Sequence, residues 1–276
     1  MTPEPALYRH PITRYRGDDA CAEPVEDLVA VEEPLQIRLR QAGEGAADIA
    51  VTMRTPGHDA ELAAGFLFTE GVLRSGADVA GIRVGENRVT VELSAGAPSV
   101  DLVRLTRHVY TASSCGVCGK ASIDSVRVGI APAPRKGGPL LTPATLRALP
   151  EALRAAQPVF DRTGGLHAAA LFSAAGDLLS LHEDVGRHNA LDKLIGAALM
   201  AGGLPLLDSV LLVSGRASFE LVQKAVVAGI PVLAAVGAPS SLAVQLAEES
   251  DTTLIGFLRG DRFNVYAAPW RIAPSG

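Results

Sequence analysis

The sequence predicts an α/β protein with a smaller α+β unit in front of it, on three observations. Beyond Gln157, short aliphatic runs alternate with helix-length segments, the pattern of strands covered by helices on both faces. Those runs end in loops rich in glycine and serine. Hydrophobic residues make up 48% of the chain but aromatics only 4%, so the core must be built from Ala, Val, Leu and Ile in packed layers. At 276 residues, the chain is long enough for about two domains of roughly 150 residues.

Residues 1–24 are polar and without periodicity and read as a loose N-terminal arm. Leu35, Ile37 and Leu39 then alternate with Gln36, Arg38 and Arg40, and Ile49, Val51 and Met53 repeat the period, both as half-buried strands. After Pro56-Gly57 a helix is expected around 60–68, with Leu62, Gly65 and Phe66 on one face. Residues 82–84 and 89–93 pair as a hairpin through Gly85-Glu86-Asn87-Arg88. That α+β unit spans 25–98, and Gly96-Ala97-Pro98-Ser99 is its linker.

The second unit, 99–276, opens with a basic strand-like stretch, a cysteine loop at 111–120 and a Pro/Gly-rich connector at 129–143. Thr142 caps a helix that has Pro143 in its first turn. A hairpin follows (166–173 and 178–183), then a helix at 190–200. Strands at 210–213, 230–236 and 252–258 alternate with helices at 219–228 and 242–249. These form a largely parallel sheet covered on both faces, a three-layer arrangement.

The net charge of −5 argues against a nucleic-acid binder, whose footprint is basic. No apolar run reaches the ~18 residues that cross a bilayer. The N-terminus lacks a signal peptide's apolar segment. Three cysteines make no disulfide framework and suit a reducing cytoplasm. Cys21 reads as an inert thiol.

Cys115 and Cys118 stand in Ser113-Ser114-Cys115-Gly116-Val117-Cys118-Gly119-Lys120. Paired serines and two glycines favour a turn there over packed structure, so the thiols point to sulfur chemistry or a metal. Arg104, Arg107, His108 and Lys120 flank them and would lower a thiol pKa if close in space. Structural zinc needs about four ligands, and no second Cys-x-x-Cys exists. A thioredoxin-like pair should start a helix, which Gly116 and Gly119 discourage. Sulfur relay needs a reactive cysteine on a loop beside an acceptor site. His167 suggests the His-x-Glu of zinc deaminases, but Ala169 stands where the Glu should be and no cysteine follows Cys118.

The acceptor site is expected at one sheet edge. Four loops fall at strand ends: 183–189, 214–218, 237–241 and 259–262. In an open α/β sheet, ligands sit at the carboxyl ends of strands, and helix N-termini there favour anions. Arg187, His188, Arg216, Arg259 and Arg262 add positive charge. Taken singly, each loop could merely be a tight turn with its arginines solvated or paired to Glu183, Asp184 or Asp261. Four loops together favour a phosphorylated ligand. None is a P-loop or a dinucleotide fingerprint.

Five runs taken together resemble the FdhD family of formate dehydrogenase accessory sulfurtransferases. They are Ser114–Gly119, Thr163–Ala169, Glu183–Ala190, Ser214–Glu220 and Gly256–Phe263. The resemblance implies a sulfur carrier that takes sulfur from a cysteine desulfurase persulfide. It would pass the sulfur to the bis(molybdopterin guanine dinucleotide) form of the molybdenum cofactor before insertion into formate dehydrogenase. It implies a cytoplasmic homodimer, a cytidine-deaminase-like C-terminal domain, and no metal of the protein's own. By position, Cys115 would carry the persulfide with Cys118 assisting. Phe257, Leu258, Arg259, Gly260, Asp261 and Arg262 would bind the cofactor, with Arg216 and His188 as further candidates. Two rival readings are a non-covalent cofactor chaperone and a dithiol–disulfide oxidoreductase.

Overall fold

The computed structural model describes residues 6–15, 23–98, 100 and 137–274. Strands β1 (Leu7–Arg14) and β2 (Glu23–Ala30) pair antiparallel as a separate ribbon. Leu7–Arg14, expected within a loose arm, is therefore a strand. It escapes a periodicity reading because none of its eight residues is buried, so no face is marked out by apolar residues.

A four-stranded sheet follows, from β3 (Glu33–Arg40), β4 (Ala47–Arg54), β5 (Val79–Gly85) and β6 (Arg88–Leu93), in the order β4-β3-β6-β5. Its two hairpins are antiparallel and meet through a parallel β3–β6 pairing. Leu35, Ile37 and Leu39 are fully buried while the residues between them are only partly so, as the alternation requires. Helix α1 (Asp59–Thr69) contributes Leu62, Ala63 and Leu67 to the same core. Arg54 fastens its first turn: the buried guanidinium donates to both Asp59 carboxylate oxygens at 2.9 Å.

The larger sheet has six strands: β7 (His167–Phe172), β8 (Leu178–Asp184), β9 (Val210–Val213), β10 (Val232–Ala235), β11 (Thr253–Arg259) and β12 (Arg262–Ala267), in the order β12-β11-β10-β9-β7-β8. The helices are α2 (Pro143–Ala155), α3 (Pro158–Thr163), α4 (Arg187–Met200), α5 (Phe219–Val227) and α6 (Ser241–Glu249). Ala168, Ala170, Phe172, Val210 and Leu212 pack with Leu146, Leu149 and Leu153 of α2. The intervening Ala169, Leu171, Leu211 and Val213 pack towards α4, α5 and α6. The result is the expected three-layer α/β arrangement.

The sheet is mixed, not largely parallel. Only β9–β10 and β10–β11 pair in parallel; β7–β9, β7–β8 and β11–β12 are antiparallel. Connection length explains this. Crossover helices α5 and α6 join the parallel neighbours, whereas the turns at 173–177 and 260–261 are too short for anything but hairpins. Strand β12 was not foreseen.

Helices α1 and α4 cross at two glycines. A Cβ on Gly65 would collide with the carbonyl oxygen of Asp192, and one on Gly196 with that of Glu61. Beside the crossing, Lys224 Nζ lies 2.9 and 3.0 Å from the two Asp192 carboxylate oxygens and 2.8 Å from Thr69 Oγ1. Burial pushes the Asp192 carboxyl up, against the pull of Lys224.

Candidate functional site

Strand β8 runs parallel to β9 across the antiparallel β7, so the carboxyl ends of β8, β9, β10 and β11 share one edge. The four loops lie along it, and the main chain laces the second, third and fourth together. Gly237 N–H donates to Gly215 O (2.9 Å), Ser240 N–H to Ala217 O (3.0 Å) and Phe257 N–H to Gly237 O (3.0 Å). The second and third loops touch so closely that a Cβ on Gly237 would stand 3.1 Å from the Arg216 Cα.

The first loop is welded to the small sheet. Asp184, fully buried, lies 2.7 Å from Lys193 Nζ. It also accepts from Gly186 N–H (2.8 Å), Asn189 Nδ2 (3.2 Å) and Thr55 N–H (3.2 Å). Asn189 donates to Met53 O at 2.7 Å. Glu183 accepts from Val159 N–H (3.0 Å) and Phe160 N–H (2.8 Å) at the start of α3. Both acids are thus engaged away from the arginines. Among the described residues Arg187, Arg216, Arg259 and Arg262 form no ion pair.

Arg187 and His188 are the first two residues of α4, whose opening turn carries no acid and whose cap, Gly186, offers no side chain. Cations at that end oppose the helix dipole. Arg187 Nε is in addition buried with no hydrogen-bond partner among the described residues. An anion there would satisfy the guanidinium and relieve the conflict.

His167 opens β7, and its ring lies over Gly215, where a Cβ would be 3.5 Å from Cε1 and Nδ1. Burial first, then the charges of Arg187 and His188, push its pKa down despite Asp184. His188 Nε2 stands 3.0 Å from Glu220 Oε2 and 3.3 Å from Ser218 Oγ, and Ser218 Oγ donates to Glu220 Oε2 at 3.2 Å. Burial alone would raise the Glu220 pKa. The hydrogen bond and charge of His188, with Ser218 and Arg187, outweigh it and hold the carboxyl below its ordinary value.

In the fourth loop β11 bulges between Gly256 and Arg259. Phe257 takes the left-handed conformation (φ 54°), costly for a bulky residue and characteristic of functional edges. The Arg259 guanidinium sits 5.9 Å from its ring centroid. Gly260 (φ 59°) turns the chain, and Arg259, Asp261 and Arg262 are exposed. Leu258 differs: it is 0% exposed and packs in the core on the α2 side, so its side chain is not offered to a ligand. Arg216, in the second loop, is exposed.

Cys115, Cys118 and Cys21 lie outside the described residues. The chain on either side of 101–136 is anchored. Val100 exchanges two 3.0 Å hydrogen bonds with Gln41. The Gly137 carbonyl accepts from Arg271 Nε at 2.7 Å. Gly138 abuts Pro231, just before β10 and so at the edge opposite the four loops. Among the described residues no group of three or more His, Cys, Asp or Glu side chains is placed to hold a metal, and no helix is long and apolar enough to cross a membrane.

Glu220 and Thr55 were missed from sequence. The signal for Glu220 was a Ser-x-Glu at a helix start, which also reads as a simple cap. Nothing local marks Thr55, whose partners are about 130 residues away.

Together the layered mixed sheet and the arginines along one edge define an α/β protein whose strands end, at their carboxyl side, in a row of glycine-rich loops carrying cations. A family model described as the FdhD/NarQ family matches residues 30–273, and the chain belongs to that family. It is 55% identical over 275 residues to a protein of Streptomyces avermitilis named sulfur carrier protein FdhD, covering 96% of this chain and 95% of that one. A Sulfolobus acidocaldarius protein of the same name is 44% identical over 248 residues, covering 90% and 92%. The fold also matches a crystal structure from Desulfotalea psychrophila, provisionally described as a formate dehydrogenase accessory protein. The TM-score is 0.77 and the identity 26%, over 98% of this chain and all of that one.

Proposed function

We propose that this chain is a cytoplasmic sulfur carrier serving formate dehydrogenase, working as a homodimer and acting through a persulfide on Cys115. The Cys115 thiolate attacks the outer sulfur of a cysteine desulfurase persulfide. An S–S bond forms to Cys115 as the donor's S–S bond breaks, and the donor cysteine leaves as thiolate. Cys118, three residues on, assists. The outer sulfur is then handed to bis(molybdopterin guanine dinucleotide)-bound molybdenum, bound as substrate: it becomes sulfide, the metal gives up two electrons, and Cys115 returns to thiolate.

The observation that carries this reading is the row of arginines that form no ion pair among the described residues, at a sheet edge of helix N-termini and glycine turns. A guanine dinucleotide brings pyrophosphates, and each charge-assisted hydrogen bond to one contributes ~1.5–3 kcal/mol. Phe257, Arg259, Asp261, Arg262 and Arg216 are the side chains we assign to binding, with Gly260 shaping the turn and Leu258 supporting it from the core. Chain length permits delivery. Cys115 is 15 residues past Val100, a reach of up to about 50 Å. The 14-residue α4, running from the loop edge away from it, is about 21 Å long.

The test is intact-mass and peptide analysis after incubation with a cysteine desulfurase and free cysteine. Added sulfur on the Cys115 peptide is expected, and a Cys115→Ala variant should bind cofactor yet fail to activate the dehydrogenase. Activation by that variant would make the protein a non-covalent chaperone. Equal dependence on both thiols with a Cys115–Cys118 disulfide would make it an oxidoreductase.

A further inference from the structure

Glu220 is out of place. It puts a half-buried carboxylate beside Arg187 and His188, at an edge that otherwise favours anions. By Coulomb's law alone it would repel a phosphate. A hydrolytic Ser–His–acid device does not account for it. Such a device uses one ring nitrogen to take the serine proton and the other to be oriented by the acid. Here Ser218 and Glu220 both meet the same nitrogen, Nε2, at 3.3 and 3.0 Å, and Ser218 donates to Glu220 rather than to histidine. Ser218 is therefore not an activated nucleophile.

What this geometry does is fix an imidazole. Glu220 holds His188 by Nε2, and Ser218, at the N-terminal boundary of α5, braces the carboxylate from the side. Nδ1 has no hydrogen-bond partner among the described residues. A carboxylate that accepts from one ring nitrogen orients the ring and fixes which nitrogen carries that proton. The neighbours from other elements do not supply this. His167 of β7 has its pKa pushed down by burial, and Arg187 precedes His188 on the same helix and is itself cationic.

We infer that Glu220 is a positioning residue for the ligand's phosphate, acting through His188: it accepts from Nε2–H and so fixes the ring, whose imidazolium form offers its second proton, Nδ1–H, to a phosphate oxygen. The inference rests on the anion-site reading above and deepens it. Its price in bare electrostatics is what makes it testable, because the two views predict opposite signs.

Calorimetric titration with inorganic pyrophosphate and with GDP decides between them, using the full chain, Glu220→Gln, Glu220→Asp, His188→Ala and the Glu220→Gln/His188→Ala double variant. Removing a negative charge should tighten anion binding if Glu220 is merely a nearby charge. Positioning predicts binding about tenfold weaker in Glu220→Gln, the worth of one charge-assisted hydrogen bond. It also predicts little further loss when the substitution is added to His188→Ala. Glu220→Asp keeps the charge but draws it back from Nε2, and should weaken binding too; it provides the reading should Glu220→Gln not fold. Unchanged or tighter binding in these variants would overturn the role of Glu220 alone. Failure of the unsubstituted protein to bind either probe would overturn the anion site and this inference with it.

Discussion

Gly65 of α1 rests against Gly196 of α4 so closely that neither position has room for a methyl group. The two helices join the four-stranded sheet to the six-stranded one, and α4 carries Arg187 and His188 at its far end. Spacing at the crossing therefore sets where those cations stand.

Replacing either glycine by alanine should be among the most damaging single changes. Overpacking usually costs ~1–3 kcal/mol. Here the obstacle is a backbone carbonyl, which cannot swing aside, so the loss should reach at least about 3 kcal/mol. Thermal unfolding of Gly65→Ala and Gly196→Ala measures it; a melting temperature within a degree of the parent would contradict the crossing.

The Asp184–Lys193 pair, fully buried at 2.7 Å, gives a second expectation. Lys193→Met leaves the carboxylate buried without its cation, and breaking such a pair costs ~3–5 kcal/mol. Because Asp184 also shapes the 184–189 loop, GDP affinity should fall along with stability. Urea titration and calorimetry would report the two losses together.

His182 sets an acid limit on stability. Burial first, then the charge of His58, lower its pKa from 6.5 to about 4 in the fold, with Glu61 opposing. The His58 ring stands edge-on at 4.7 Å. Between pH 6.5 and 4 the unfolded chain binds more protons than the folded one, so stability rises with pH across that window. This contribution is complete above 6.5 and is lost as pH falls towards 4, a change on the order of 3 kcal/mol. His182→Leu should flatten the dependence of unfolding free energy on pH over that range; an unaltered slope would count against it.

Leu258 and Arg262, four residues apart, should separate cleanly. Arg262→Ala, at an exposed position, is expected to weaken GDP about tenfold with little effect on melting. Leu258→Ala should cost ~2–5 kcal/mol of stability while the folded fraction keeps its affinity. Paired melting curves and titrations distinguish the two.

The fold was legible wherever an element buries one alternating face or an unbroken apolar run. Leu35, Ile37 and Leu39 announce β3 in this way, and the fully buried runs Val210–Val213 and Val232–Ala235 announce the parallel strands. The ribbon strand Leu7–Arg14 buries no face, and β12 buries only Ala267, so neither leaves a periodic trace. Strand direction was hidden too, since β7 and β11 read as aliphatic runs whichever way their neighbours point. At the candidate site, glycine loops and arginines were visible as types and spacings. Which acids they face was not: Asp184 turns to Thr55 and Lys193, and Glu220 to His188, choices made by packing between distant segments.

Arg271 ties the last turns of the chain to the stem that leads out of the cysteine-bearing stretch. Its side chain holds Gly137 O, its own carbonyl accepts from Leu141 N–H at 2.8 Å, and Ala273 N–H returns to Leu141 O at 2.8 Å. Deleting the final half-dozen residues would remove neither thiol and none of the sheet-edge arginines, yet it would cut the mooring of the 137–141 stem. A truncated or tail-fused protein that still captures nucleotide but no longer delivers sulfur would then be reporting slack in that mooring, not a fault in the chemistry.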